Sequence, residues 1–178
     1  MMKQLGGAII VVLSLVACSA PREAAPPVST VRTVKEIRSP MNVVADFRAT
    51  LRAQAVSDAL FFIDEVNYGT PAAEQVRFRI KKLADEMAGG AYDYKPVEEQ
   101  IQDDCAAVIV RENPNRPGPA VYGLYFLIKR DERWKISPEP QNYQKILGLT
   151  AAQGKSLLAL DRWYQLRKAD LRLEERGK

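Results

Sequence analysis

Two cysteines and no histidine limit the reactive side chains of this 178-residue chain. Cys18 stands where a nearly continuous apolar run, residues 8–17, stops, whereas Cys105 lies inside a second apolar segment. A thiol within an apolar pattern commonly behaves as a small core side chain. We therefore expect Cys105 to be a packing residue, whereas the role of Cys18 depends on the segment that ends at it.

The segment that carries Cys18 has the composition of an export signal. Lys3 precedes the apolar run, which is too short for a membrane-spanning helix of roughly 20 residues and fits the apolar region of a secretory signal. Leu15-Val16-Ala17-Cys18 resembles the lipobox of bacterial lipoproteins. This resemblance implies cleavage after residue 17, a diacylglycerol on Cys18 with palmitate-type acyl chains, and a lipid-anchored protein in the periplasm. Because Ser19 replaces the aspartate of the inner-membrane retention signal, the outer membrane is favoured.

Patterns for other catalytic chemistry are missing from the sequence. A glycine-rich phosphate loop, a serine-centred elbow, a Cys–His pair and a metal-ligand cluster are all absent. Carboxylates and tyrosines remain as acid–base candidates. Asp46 and Asp104 are the carboxylates nearest to meeting the requirements of such a site. We therefore expect a protein that is not an enzyme and that needs no metal and no cofactor.

The charge balance argues against a nucleic-acid partner. Lys and Arg number 26 and Asp and Glu 22, which gives a net charge of +4 and a pI of about 9.1. The two signs are interleaved, whereas nucleic-acid binding calls for a clustered basic face with aromatics. With Cys18 lipidated, Cys105 has no cysteine left to pair with, so no internal disulfide is expected.

The chain divides into a signal at residues 1–17, a tether at residues 18–38 and one folded domain. Pro21 and Pro26-Pro27 lie in the tether among Ala, Ser, Thr and scattered charges. Such a composition buries too little apolar surface to offset its ordering entropy, which predicts a disordered or polyproline-like tether.

Three helices are predicted before the first strand. Ser39-Pro40 supplies a cap and a first-turn proline, and a short second helix is expected over residues 57–63. Thr70-Pro71 begins the third helix and Gly89-Gly90 ends it. The apolar stripes of the first and third helices are Val43, Val44, Phe47 and Leu51, and Val76, Ile80, Leu83 and Met87.

After Gly90 the pattern changes to strands. Residues 91–101 predict an edge strand because Pro96 removes a donor, and residues 104–112 predict a strand covered on both faces. Residues 113–119 form a loop, followed by strands at residues 121–130 and 133–137, with Gly123 expected to mark a bulge or bend. The fold class is α+β, with N-terminal helices packed on a curved antiparallel sheet and a C-terminal helix.

The last hairpin, ending in Trp134-Lys135-Ile136, and the helices before the sheet resemble the nuclear transport factor 2 superfamily, especially its small lipoprotein domains of unknown function. The resemblance covers residues 39–142 and implies a cone-shaped domain with helices across the concave face of the sheet. Between them lies either a ligand pocket or a filled core, and we favour the filled core. The candidate lining residues are Phe47, Leu51, Tyr92, Tyr94, Tyr122, Tyr125 and Trp134.

Members of this superfamily include isomerases, dehydratases, carriers and assembly subunits. The resemblance therefore specifies the fold more closely than the function. The superfamily enzymes use pocket Asp or His bases, and only carboxylates are available here. We expect a membrane-anchored, non-catalytic binding or assembly module of the cell envelope with a protein partner. A carrier of a small apolar ligand and an isomerase- or dehydratase-like enzyme remain as alternatives.

Residues 143–178 add a C-terminal amphipathic helix beyond the region of resemblance. Thr150 and Gln153 form a capping-box pattern at its start. Residues 157–166 are expected to dock on the domain, and the second half is expected to face solvent. The residues predicted to contact a partner there are Leu171, Leu173, Arg167 and Arg172.

Overall fold

The computed structural model describes residues 38–64, 71–138 and 148–176. Cys18, the signal and the tether up to residue 37 lie outside the described residues. The elements, in chain order, are α1 (Pro40–Arg52), α2 (Val56–Leu60), α3 (Pro71–Ala88), β1 (Tyr94–Gln102), β2 (Cys105–Glu112), β3 (Val121–Arg130), β4 (Arg133–Ile136) and α4 (Ala151–Arg176).

The four strands form one antiparallel meander in the order β1-β2-β3-β4. Helices α1 to α3 lie on one face of this sheet and α4 lies on the other. The predicted fold class, helices on a curved antiparallel sheet with a C-terminal helix, is confirmed. β1 is an edge strand, as Pro96 predicted.

Each face of the sheet has its own core because successive strand residues point to opposite faces. Ala106, Val108 and Val110 of β2 face α1 to α3, and Cys105, Ala107 and Ile109 face α4. We call these the α1–α3 core and the α4 core. The first six of the eight β2 side chains are buried, which confirms the prediction of a strand covered on both sides.

Helix α1 begins where the sequence predicted. The Ser39 hydroxyl accepts from the Asn42 backbone N–H at 3.3 Å, and Pro40 occupies the first turn. The Glu99 carboxylate of β1 accepts from the Met41 N–H at 2.6 Å, which places an anion at the positive end of the helix. The predicted stripe is buried, so α1 is attached to the sheet by its apolar face and by the bond to Glu99.

The segment after α2 departs from the prediction. Helix α2 ends at Leu60 rather than at residue 63, and Ile63 forms a parallel bridge with Ile136 of β4. The Asp64 N–H donates to the Ile136 carbonyl at 2.8 Å. These backbone bonds to the sheet edge replace the last helical turn.

Gly123 does not mark a bulge. It pairs with Val110 in an unbroken β2–β3 register, and the register shift lies in β1 between Pro96 and Glu98. A Cβ at position 123 would lie 2.6 Å from Oε1 of Glu112 and 3.2 Å from Cγ2 of Val110. Glycine leaves room here for the Glu112 carboxylate, which lies at the flexible end of its side chain.

The capping box of α4 is confirmed. The Thr150 hydroxyl accepts from the Gln153 N–H at 3.2 Å, and the Gln153 side chain accepts from the Thr150 N–H at 3.1 Å. Leu157, Leu160 and Tyr164 then enter the α4 core. Leu166, predicted to dock, is instead 72% exposed because it lies on the opposite side of the helix.

Candidate functional site

Six of the seven predicted lining residues lie between the helices and the sheet. Phe47, Leu51, Tyr94, Tyr125 and Trp134 are buried in the α1–α3 core, and Tyr92 packs against it half-buried. The rings of Tyr94 and Tyr125 are 5.3 Å apart, and the ring of Phe47 lies 6.3 Å from Tyr125. The aromatic side chains occupy the concave side of the sheet by packing on one another.

The buried tyrosines are poor general bases. Burial raises the pKa of Tyr94 well above its ordinary value, and it raises the pKa of Tyr92 and Tyr125 as well. All three phenols therefore stay protonated at neutral pH. The Tyr94 hydroxyl donates to the Val44 carbonyl at 3.5 Å, which joins it to helix α1.

Tyr122 does not belong with the other six. It lies in the α4 core, where its carbonyl accepts from the Tyr164 hydroxyl at 2.8 Å. Tyr122 and Tyr125 are three positions apart on one strand, so their side chains must point to opposite faces. Strand parity therefore allows only one of these two candidate lining residues on the concave side, and the structure places Tyr125 there and Tyr122 on the side of α4.

The candidate carboxylates do not converge. Asp46 bonds the guanidinium of Arg38 at 2.6 Å on the outer side of α1, and Asp104 is exposed in the turn between β1 and β2. Asp93 receives two bonds from Arg48. Although partial burial alone would raise the pKa of Asp93, its bonds from Arg48 and from the Tyr94 N–H hold that pKa below its ordinary value. Asp46, Asp93 and Asp104 therefore do not come together as an acid–base pair.

The residues predicted to contact a partner from the second half of α4 divide into two groups. Arg167 bonds Glu98 of β1 at 2.7 Å and Glu174 at 2.8 Å, and Leu171 packs against the α4 core. Arg172 and Leu173 are exposed. The expectation that the whole second half projects into solvent is wrong, because Glu175 also bonds Arg111 of β2 at 3.2 Å.

This docking changes the expected result of truncation. Ending the chain after Leu166 removes Leu171 from the α4 core and the bonds to Glu98 and Arg111. Partial burial of a leucine contributes about 1 kcal/mol, which corresponds to a melting-temperature change of roughly 3–5 °C for this size. We expect the melting temperature of the truncated protein to fall by at least that amount, while a chain ending after Glu175 melts like the full chain. Equal melting temperatures of the full chain, the chain ending after Glu175 and the chain ending after Leu166 would show that the second half of α4 does not dock.

An open groove that was not among the predicted features lies between α2 and α3. It has a volume of about 700 Å³ and an apolar floor. Phe61 is 68% exposed and Phe78 is 69% exposed, which is unusual for phenylalanine. We call this surface the α2–α3 groove; its lining residues are Val56, Ser57, Leu60, Phe61, Arg77, Phe78 and Lys81.

The charges that line the α2–α3 groove are both positive. Arg77 makes no ion pair within the described part of the chain, and Lys81 bonds Asp85 at 3.0 Å on the exposed side of α3. A signal for the groove existed in the sequence, because Phe78 lies two residues from both Val76 and Ile80 and so falls outside the apolar stripe of α3. An aromatic side chain off that stripe cannot enter the core.

Cys105 is a buried free thiol in the α4 core. Burial, together with the charges of Asp104 and Asp103, raises the pKa of this thiol to about 11. At pH 8 the thiolate fraction is then on the order of a hundredfold below that of an ordinary cysteine. We expect iodoacetamide to leave Cys105 unmodified in the folded protein and to modify it in urea, as read by peptide mass spectrometry. Rapid modification in the folded state would contradict this burial.

The Cys, Asp and Glu side chains of the described residues form no group of three that could hold a metal ion. None of the helices described is both long enough and apolar enough to cross a membrane.

Comparison with known proteins finds similarity of fold to solved structures. No protein-family model and no curated protein sequence matches the chain. A Campylobacter jejuni structure, described as a proposed NTF2-like transpeptidase, is 21% identical; the match covers 56% of this chain and 98% of that one, with a TM-score of 0.45.

Two other structures are similar over the same share of the chain. A Thiobacillus denitrificans protein, described as a proposed calcium/calmodulin-dependent protein kinase type II association domain, is 19% identical over 56% of this chain and 94% of that one, with a TM-score of 0.41. An NTF2-like protein of unknown function from Cytophaga hutchinsonii is 13% identical over 54% and 84%, with a TM-score of 0.36. At these identities the similarity concerns fold alone.

Proposed function

We propose that this protein is a lipid-anchored lipoprotein of the cell envelope that acts as a non-catalytic binding or assembly module, with the α2–α3 groove as its binding surface. The observation that carries the proposal is the pair of exposed phenylalanines, Phe61 and Phe78, in an open groove beside a filled aromatic core. The anchor on Cys18 comes from the lipobox resemblance, and the outer membrane is its favoured location.

The chemistry of the groove favours a protein segment with apolar anchors and acidic neighbours. Burying a phenylalanine side chain contributes about 1.5–3 kcal/mol, so two such anchors supply several kcal/mol before ordering costs. Arg77 and Lys81 would pair with carboxylates of the segment, and basic groups at a rim chiefly affect partner choice and association rate. An amphipathic helix carrying both features is a common occupant of such grooves.

The proposed tether would place this groove near a membrane. The predicted tether, residues 19–38, would reach on the order of 25 Å as a flexible coil and roughly 60 Å as extended polyproline. A partner within the same membrane, or bound at its surface, is therefore within reach of the domain. This distance supports assembly at the envelope over capture of a freely diffusing molecule.

The packing on the concave side weighs against the two alternatives. A carrier needs a cavity for its ligand, and Phe47, Tyr94 and Tyr125 are packed ring against ring where that cavity would lie. An isomerase or dehydratase needs a base that reaches a substrate, and Asp46 and Asp104 lie at the surface. The open groove could also hold a small apolar molecule, which native mass spectrometry of the protein from its host would detect.

A photocrosslinking residue at position 78 tests the proposal in the host envelope. We expect position 78 to crosslink one protein strongly and position 101 to crosslink it at least fivefold less. Ile101 is a matched control because it is an exposed apolar residue that does not line the groove. Arg77→Glu and Lys81→Glu should each reduce the crosslink, since an acidic segment would then meet like charge.

The pattern of crosslinks decides whether the groove binds an acidic protein segment or a small molecule. Equal yields at positions 78 and 101, or no dependence on the Arg77 and Lys81 charges, would contradict groove binding by an acidic segment. A bound small molecule without a crosslinked protein would favour the carrier alternative.

A further inference from the structure

The outer side of α4 carries an apolar stripe that faces away from its own domain. Leu157, Leu160 and Tyr164 enter the α4 core. On the opposite side of the helix, three further leucines recur at helical spacing, namely Leu158, Leu166 and Leu173. Leu166 is 72% exposed and Leu173 is 64% exposed. We call this surface the outer α4 stripe; it consists of Leu158, Arg162, Leu166, Ala169 and Leu173.

The stripe runs along one side of a long helix. Its residues follow one another at intervals of 4, 4, 3 and 4 positions, which keeps them within one quarter of the helix circumference. Helix α4 has 26 residues and is therefore about 39 Å long. Because Ala169 is small, a second helix can approach closely beside Leu166.

We infer that the outer α4 stripe binds the same stripe of a second copy of this chain, in an antiparallel pair with its two-fold axis at Leu166. In this arrangement Leu166 meets Leu166 of the second copy. Leu158 lies level with Glu174 of that copy, next to its Leu173. Leu158 of each copy thus packs beside Leu173 of the other copy. This reciprocity is what an interface between identical surfaces requires.

Charge complementarity selects this orientation. The same two-fold axis places Arg162 level with Asp170 of the second copy, and it does so twice. Arg162 makes no ion pair in the described part of one chain, and Asp170 lies 4.0 Å from Arg167, which already bonds Glu98 and Glu174. A parallel pair in register would instead place Arg162 beside Arg162, which is repulsive.

The charges beside the stripe oppose a membrane surface as its occupant. Helices that lie on anionic lipid present Lys and Arg on their polar face. Here Asp161, Asp170 and Glu174 stand among the basic residues of α4, which include Lys155, Arg162, Arg167, Lys168 and Arg172. Mixed signs suit a second copy, whose own mixed signs can face them in reverse order.

Cysteine crosslinking in isolated cell envelopes tests the inference with the full chain. Leu166→Cys should give a covalent dimer with a short bismaleimide. Leu158→Cys should give at least fivefold less, because its two copies lie about 24 Å apart along an antiparallel pair. The wild-type chain controls for Cys105, which is buried. Crosslinking at neither position, or equally at both, would overturn the antiparallel pair.

Charge reversal supplies an independent measurement in the Leu166→Cys protein. Arg162→Asp and Asp170→Arg should each lower the dimer yield at least fivefold, and the two together should restore it. Since both side chains are exposed in the single chain, neither substitution should unfold the domain, which circular dichroism would check. Yields that do not respond to either reversal, or that the double reversal fails to restore, would contradict the proposed pairing. This inference does not depend on the α2–α3 groove.

Discussion

Phe47→Ala should lower the free energy of unfolding by about 3–5 kcal/mol. Phe47 is 1% exposed, and its ring lies 6.1 Å from Phe62 and 6.3 Å from Tyr125. Removing the ring takes apolar surface out of the α1–α3 core and leaves a space that the rigid sheet and helix α1 fill only in part. Small domains have total stabilities of about 5–15 kcal/mol, so this loss is a large fraction of the whole.

Urea unfolding followed by tryptophan fluorescence would measure this difference, because Trp134 lies in the same core. Phe78→Ala is the matched control: its ring is 69% exposed, so its removal should change stability by no more than about 0.5 kcal/mol. A loss below about 1 kcal/mol for Phe47→Ala would mean that the concave side is loosely filled. The carrier alternative would then become the better account.

The local signals in the sequence were sufficient for most elements. Ser39 and Thr150 sit at helix starts because each side chain satisfies backbone N–H groups that the first turn leaves free. The apolar segment at Cys105 was predicted to be covered on both faces, and α4 proved to be the second cover. These features depend on short-range geometry, which the order of residues expresses directly.

Contacts between distant parts of the chain were not predictable in the same way. Gly123 was interpreted as a bend, because the sequence cannot show that the Glu112 side chain lies across it from the neighbouring strand. Arg167 was assigned to a partner, because its bond to Glu98 joins residues that are 69 positions apart. Both assignments needed the register of the sheet and the position of α4.

The candidate site shows the same division. The aromatic cluster around Phe47 followed from strand and helix periodicity, apart from Tyr122, whose odd spacing from Tyr125 already excluded it. The α2–α3 groove was not predicted because Phe78 lies on α3 whereas Phe61 follows the end of α2, well before it in the sequence. Their proximity depends on how α2 packs beside α3 rather than on either pattern alone.

We propose that this domain works at a membrane surface, held there by a lipid on Cys18. Intact-mass and peptide mass spectrometry of the protein isolated from host membranes tests it most directly. We expect a chain that begins at Cys18, lacks residues 1–17 and carries diacylglycerol through a thioether. In the Cys18→Ala variant the lipid mass should be lost completely and cleavage after residue 17 abolished, because the thiol is the acceptor of the lipid. A wild-type chain that starts elsewhere, or that retains a free Cys18 thiol, would contradict the account.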